Sequence, residues 1–275
     1  MDEIRPDFYI PRIVDRRLDE LLSGLPAISL EGPRAVGKTE TALRRARTVH
    51  RLDDDQQLEL VHGDPSRLVE GDPPVLIDEW QRYPASWDLV RRHVDDRAKK
   101  SSFLLTGSAA PSERPTHSGA GRIVTLRMHP LSLSERSLAA PTVSLSELLS
   151  GERPRLAGAS GVTLADYAAE IARSGFPGIR PLGRVPRADL LDGYLDRVAD
   201  YDLDEAGAGI RDRRALRRWL AAYAAATATA TSFAAVRNAA AELNGRPRRA
   251  LEWMTPSEAF NRTSAMTTSE HPPKN

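Results

Sequence analysis

Between Gly32 and Thr39 the chain reads Gly-Pro-Arg-Ala-Val-Gly-Lys-Thr, which matches G-x-x-x-x-G-K-[ST] at every fixed position. The apolar run Ala27-Ile28-Ser29-Leu30 precedes it, and helix-forming text from Thr41 to Ala46 follows. Strand, loop and helix in this order make a site for phosphate. Gly32 and Gly37 permit backbone angles closed to other residues, so that successive N–H groups turn inward as an anion nest. The start of the following helix adds its positive end. Lys38 supplies a point charge for the β- and γ-phosphates, and the Thr39 hydroxyl is a magnesium ligand. The expected nucleotide-binding set is Gly32, Pro33, Arg34, Ala35, Val36, Gly37, Lys38, Thr39 and Glu40, with ATP and Mg2+ as the species bound.

A second apolar run, Val75-Leu76-Ile77, ends in Asp78-Glu79. Behind a phosphate loop, such a pair divides its work. Asp78 holds magnesium through its water shell, and Glu79 orients and deprotonates the attacking water. The strands carrying the two motifs are expected side by side. A third run, Phe103-Leu104-Leu105, ends in Thr106-Gly107-Ser108, so Thr106 and Ser108 are sensor candidates for the γ-phosphate. Arg122 follows the glycine-bearing segment Ser118-Gly119-Ala120-Gly121 and is a candidate arginine finger acting on a neighbouring copy in a homo-oligomer. Arg127 is its runner-up. The catalytic set is therefore Glu79, Lys38 and Arg122, with Thr39 and Asp78 on the metal.

The other chemistry-bearing residues have plainer readings. Asp53, Asp54 and Asp55 point in different directions on any regular backbone, so they are expected to cap a helix rather than hold an ion. His93, set among charged residues, is expected to be solvated. Ile13, Val14, Leu18, Leu21 and Leu22 fall at helical spacing and should pack beside the first strand.

Charge says little about partners, because 39 Lys+Arg oppose 38 Asp+Glu among 275 residues. The absence of cysteine excludes disulfides and thiolate metal sites. The acidic start Met-Asp-Glu-Ile-Arg-Pro has no signal-peptide core. The uncharged stretch from Trp219 is rich in Ala and Thr rather than in the residues that drive membrane insertion, so no membrane association is expected and the location is read as cytoplasmic.

Taken in order, G-P-R-A-V-G-K-T, L-I-D-E-W-Q-R-Y-P, L-L-T-G-S, S-G-A-G-R-I and L-R-M-H-P-L-S-L-S-E resemble a family of bacterial and archaeal AAA+-type P-loop ATPases. In that family the ATPase domain is followed by a C-terminal domain of unknown function. The likeness runs from about Tyr9 to Asn238. It implies an α/β, parallel-sheet P-loop NTPase core over residues 1–137 and a truncated, mostly helical second domain over 138–238. It also assigns nucleotide roles to Lys38, Thr39, Asp78 and Glu79. Residues 239–275 depart from the pattern. Leu243-Asn244-Gly245-Arg246-Pro247-Arg248-Arg249, with Trp253 and Thr255-Pro256, is similar to the tail of insertion-sequence transposases of the IS-thirty type. The simplest origin is a hybrid reading frame ending in a disordered tail. A helical domain cut short is expected to leave apolar side chains exposed.

Three competitors stand beside Mg-dependent ATP hydrolysis. One is a small-molecule phosphotransferase, which the Asp78-Glu79 pair disfavours by pointing to water as acceptor. The second is a nucleic-acid-binding module in the arginine-rich C-terminal third, where Arg211, Arg213, Arg214, Arg217 and Arg218 crowd together. The last is a nonfunctional remnant.

Overall fold

The computed structural model describes residues 9–97, 103–107, 119–138, 143–153, 161–202 and 212–227, with 229, 232 and 235. Five strands form one sheet: β1 (Ala27–Glu31), β2 (Thr48–Arg51), β3 (Val75–Asp78), β4 (Phe103–Gly107) and β5 (Ile123–Arg127). Their order is β2-β3-β4-β1-β5, and every pairing is parallel. The central strands read as unbroken apolar runs because both faces of the sheet are covered. On one face Ala27, Val75, Ile77, Phe103 and Leu105 pack with Val61 of α3 (Asp55–Gly63) and with Trp87, Val90 and Val94 of α4 (Ala85–Arg97). On the other, Ile28, Leu30, Leu76 and Leu104 pack with Leu18 and Leu22 of α1 (Ile13–Leu22) and Ala42 of α2 (Lys38–Leu43).

One expectation about this sheet is corrected. The strands carrying the two nucleotide motifs, β1 and β3, do not touch; β4 lies between them. Parallel strands are joined by crossovers, so chain order leaves room for a later strand to enter between earlier ones. The register sets Thr106 of β4 opposite Leu30 on one side and Asp78 on the other.

Local chemistry explains the helix starts. Asp54 caps α3 by accepting from the N–H groups of Gln56 and Gln57, as expected of the acidic run. Asp64 does the same for Ser66 at the head of a 3-10 turn, Pro65–Val69. At α1, Leu18 and Leu22 are buried, whereas Ile13 is 66% exposed. His93 also departs from expectation: it is half-buried, with its ring edge-on to Phe103 at 5.2 Å.

Beyond β5 the chain is held by polar ties. Leu131 N–H donates to Gly175 O at 2.7 Å. The buried carboxylate of Glu170 on α6 (Leu164–Arg173) takes a two-pronged bond from Arg180, at 2.5 and 2.8 Å, and lies 3.5 Å from Arg136. Arg180 is the main reason that its pKa is held below the usual carboxylate range. The first compact unit extends to Asp192, and a second begins at Gly193. Leu164 and Ile171 of α6 are 88% and 82% exposed.

Within the second unit, α8 (Arg213–Ala225) stacks Trp219 on Tyr223 at 5.2 Å. Arg217 pairs with Asp196 and Asp200, each at 3.0 Å. Elsewhere the described residues form α5 (Leu145–Leu149), α7 (Arg184–Arg197) and a π-helical turn, Val198–Asp202. The transposase-like tail, Ser108 and Arg211 lie outside the described residues.

Candidate nucleotide site

The phosphate loop leaves the end of β1 and turns through three residues with positive φ: Gly32 (149°), Ala35 (62°) and Gly37 (97°). Alternation between right- and left-handed backbone is what points successive N–H groups into one concavity. Ala35 adopts such an angle despite its Cβ, so tertiary structure holds it there. At Gly32 space decides as well, because a Cβ would stand 2.2 Å from Met128 O. Gly32→Ala is accordingly expected to force the loop off β5 and cost on the order of 1–3 kcal/mol, read as a lower urea midpoint. A midpoint equal to that of the unaltered chain would contradict this close packing.

Lys38 opens α2 and is buried. Its ammonium donates to the carbonyls of Gly32 and Pro33, both at 2.8 Å, so it lies across the loop. Burial pushes its pKa down, the charges of Glu79 and Asp78 oppose that, and Arg34 adds to the depression. Thr39, one residue on, donates its hydroxyl to Asp78 Oδ1 at 2.9 Å. The Thr106 hydroxyl donates to the same oxygen. Burial raises the Asp78 pKa, the two hydroxyls counter it, and Glu79 and Asp53 raise it further. The head of α2 and the tips of β4 and β3 therefore meet at one carboxylate, although β1 and β3 are not neighbours.

Beyond Asp78 the strand stops abruptly. Glu79 has left-handed backbone angles, φ 55° and ψ 46°, and its carbonyl receives Arg82 N–H at 2.9 Å to open the 3-10 turn Trp80–Arg82. Its side chain is half-buried at the edge of the site and accepts from the Gln81 amide.

Arg122 is not brought here. Ile123 pairs with Ala27, at the end of β1 away from the loop, which is about 16 Å along a five-residue strand. Its guanidinium pairs with Asp95 at 2.7 Å. Arg127, opposite Glu31, is the arginine of β5 at the loop end.

Arg12 belongs to the site without having been singled out from the sequence. Its buried guanidinium donates to Val36 O in the loop (2.6 Å), to His129 O beyond β5 (2.6 Å) and to Glu135 Oε1 (3.0 Å). Glu135 also accepts from the N–H groups of Ile13 and Ser132, both at 2.7 Å. Burial alone would raise the Glu135 pKa, but these backbone donors and Arg12 hold it below the usual range. The available signal was the position of Arg12 in Tyr9-Ile10-Pro11-Arg12, where the family likeness begins. Beside this anchor lies a cavity of about 810 Å³, walled by Tyr9, Ile10 and Pro11 on one side and by Arg136, Arg180 and Leu182 on another. The Tyr9 hydroxyl lies 3.0 Å from Thr41 Oγ1 on α2. Burial is the chief cause that lifts its pKa to about 12.

A loop of inward N–H groups, crossed by a lysine and faced by a buried aspartate on a parallel sheet, is the mark of nucleotide-binding proteins of the P-loop ATPase class. Residues 25–137 match a protein family described as an AAA domain. Two uncharacterised proteins, from Mycobacterium tuberculosis and Mycobacterium bovis, are each 26% identical over 213 residues, or 74% of this chain. The chain spans 42% of the length of these relatives. Among solved structures, the Walker-type ATPase PABY2304 of Pyrococcus abyssi is similar with 14% identity and a TM-score of 0.41, over 88% of this chain and 91% of that one. AMPPCP-bound DnaA from Aquifex aeolicus is similar at 15% and 0.36, over 86% and 88%. Among the described residues, no helix is long and apolar enough to cross a membrane.

Proposed function

We propose that the chain binds ATP with magnesium and hydrolyses its γ-phosphate. The observation that carries this reading is the convergence of Thr39, Thr106 and Asp78 on one oxygen, beside Lys38 and within reach of the charge of Glu79. The loop N–H groups and Lys38 take the phosphates. Arg12 fixes the loop from behind through Val36 O. The nucleoside half extends into the adjoining cavity past Tyr9.

The donor set suits magnesium. Thr39 Oγ1 and Asp78 Oδ1 are hard oxygens 2.9 Å apart, and among the described residues no group of three or more His, Cys, Asp and Glu could enclose a metal. A small cation that keeps waters and phosphate oxygens in its shell fits such a partial set. Bound there, magnesium would neutralise charge developing on the β- and γ-phosphate oxygens. Glu79 then receives the proton of the attacking water, while Thr106 holds Asp78 in place. Water as acceptor distinguishes this reading from a phosphotransferase.

Titration calorimetry with ATP and magnesium tests the binding half. Lys38→Ala removes a charged donor to the phosphates and is expected to weaken binding on the order of 100-fold or more. Equal affinity in the variant and the unaltered chain would defeat the assignment.

A further inference from the structure

Glu79 owes its pose to a residue two positions on. Gln81 stands in the 3-10 turn that the left-handed backbone of Glu79 begins, and its Nε2 donates to Glu79 Oε2. The opposite edge of the same amide abuts the end of β4. A Cβ placed on Gly107 would lie 2.6 Å from Gln81 Oε1 and 2.9 Å from Trp80 Nε1, so only glycine leaves room there. Gln81 Oε1 is buried and, among the described residues, has no hydrogen-bond partner. The donation to Glu79 therefore sets which way the amide faces, since the reverse orientation would oppose oxygen to a carboxylate. Gly107 directly follows Thr106, whose hydroxyl reaches Asp78. Both acids are thus braced from the tip of β4, Asp78 by a hydroxyl and Glu79 through Gln81.

We infer that Gln81 is a positioning residue for Glu79, holding the carboxylate in the orientation from which it takes the proton of water. The inference rests on the hydrolytic role proposed for Glu79. Two variants separate orientation from packing. Gln81→Met keeps the length of the side chain without a donor, and Gln81→Glu keeps its shape while turning donor into acceptor. In both, kcat for ATP is expected to fall by about 10- to 100-fold, the loss typical of a misplaced catalytic group. ATP affinity by calorimetry should stay within about two-fold in Gln81→Met, because the contacts described for Gln81 are to Glu79 and to the end of β4.

A readout independent of turnover is the Gln81 side-chain amide signal in 15N-labelled protein, assigned by its loss in Gln81→Met. It should shift when Glu79 is replaced by alanine. Unchanged kcat in both Gln81 variants, or an amide signal indifferent to Glu79→Ala, overturns the inference while Glu79→Gln remains inactive. Turnover at the unaltered rate in Glu79→Gln, or none in the unaltered chain, overturns the hydrolytic reading and the inference with it.

Discussion

Glu79→Gln is expected to bind ATP and scarcely hydrolyse it. The substitution keeps the shape of the side chain, and its carbonyl oxygen can still accept from the Gln81 amide. It lacks a basic oxygen for the proton of water. Losing a positioned general base costs about 10²–10⁴ in rate, so phosphate release should fall by that range. Binding should survive, because the loop, Lys38 and the Thr39–Asp78 contact are untouched and Asp78 still supports the charge on Lys38. The fold should survive too, since Glu79 is half-buried and lies outside both apolar packing layers. The measurement pairs calorimetry with a phosphate-release assay on the same preparation. Phosphate release equal to that of the unaltered chain would remove Glu79 from the mechanism.

The second large effect is on stability. Arg12→Ala is expected to cost about 3–5 kcal/mol, the range for removing one partner of a buried ion pair. The Arg12 and Glu135 side chains are 4% and 8% exposed, so water does not replace what is lost. The alanine variant leaves the Glu135 carboxylate without its cation, and strips Val36 O and His129 O of a charged donor. Arg12→Lys should recover only part of the loss, because one ammonium cannot reach three acceptors held in a fork. Urea unfolding with an unchanged slope and a lower midpoint is the expected record. Acid should act on the same pair in the unaltered chain. The folded-state pKa of Glu135 lies below its ordinary value, so its contribution is full above the ordinary glutamate range and fades as pH falls through the folded value. An alanine variant within about 1 kcal/mol of the unaltered chain would show that the guanidinium is dispensable.

What could be read in the sequence was what is local in it. The phosphate loop, its strand and the Asp78-Glu79 pair are each contiguous, and they declare themselves through glycine spacing and apolar runs. The place of β4 between β1 and β3 could not be read, because strand order depends on crossovers rather than on any one stretch. Arg12 and Glu135 are 123 residues apart, and neither is remarkable in its own neighbourhood. Gln81 sits in Trp-Gln-Arg-Tyr, where one more polar residue in a turn carries no signal of its partner. His93 was assigned by the charges around it in sequence, whereas its environment is set by Phe103 on a strand beneath α4. Glu170, a buried glutamate ringed by arginines, looks in sequence like ordinary surface charge.

Had β3 continued one residue further in extended form, Asp78 and Glu79 would project to opposite sides of the sheet, and one of them would be lost among the helices beneath. The reversal of hand at Glu79 releases the second acid from that alternation. The separation of tasks proposed for two adjacent, chemically similar side chains is in this sense a property of a single pair of torsion angles. A backbone that straightened there would leave the motif spelled correctly but without the geometry proposed for it.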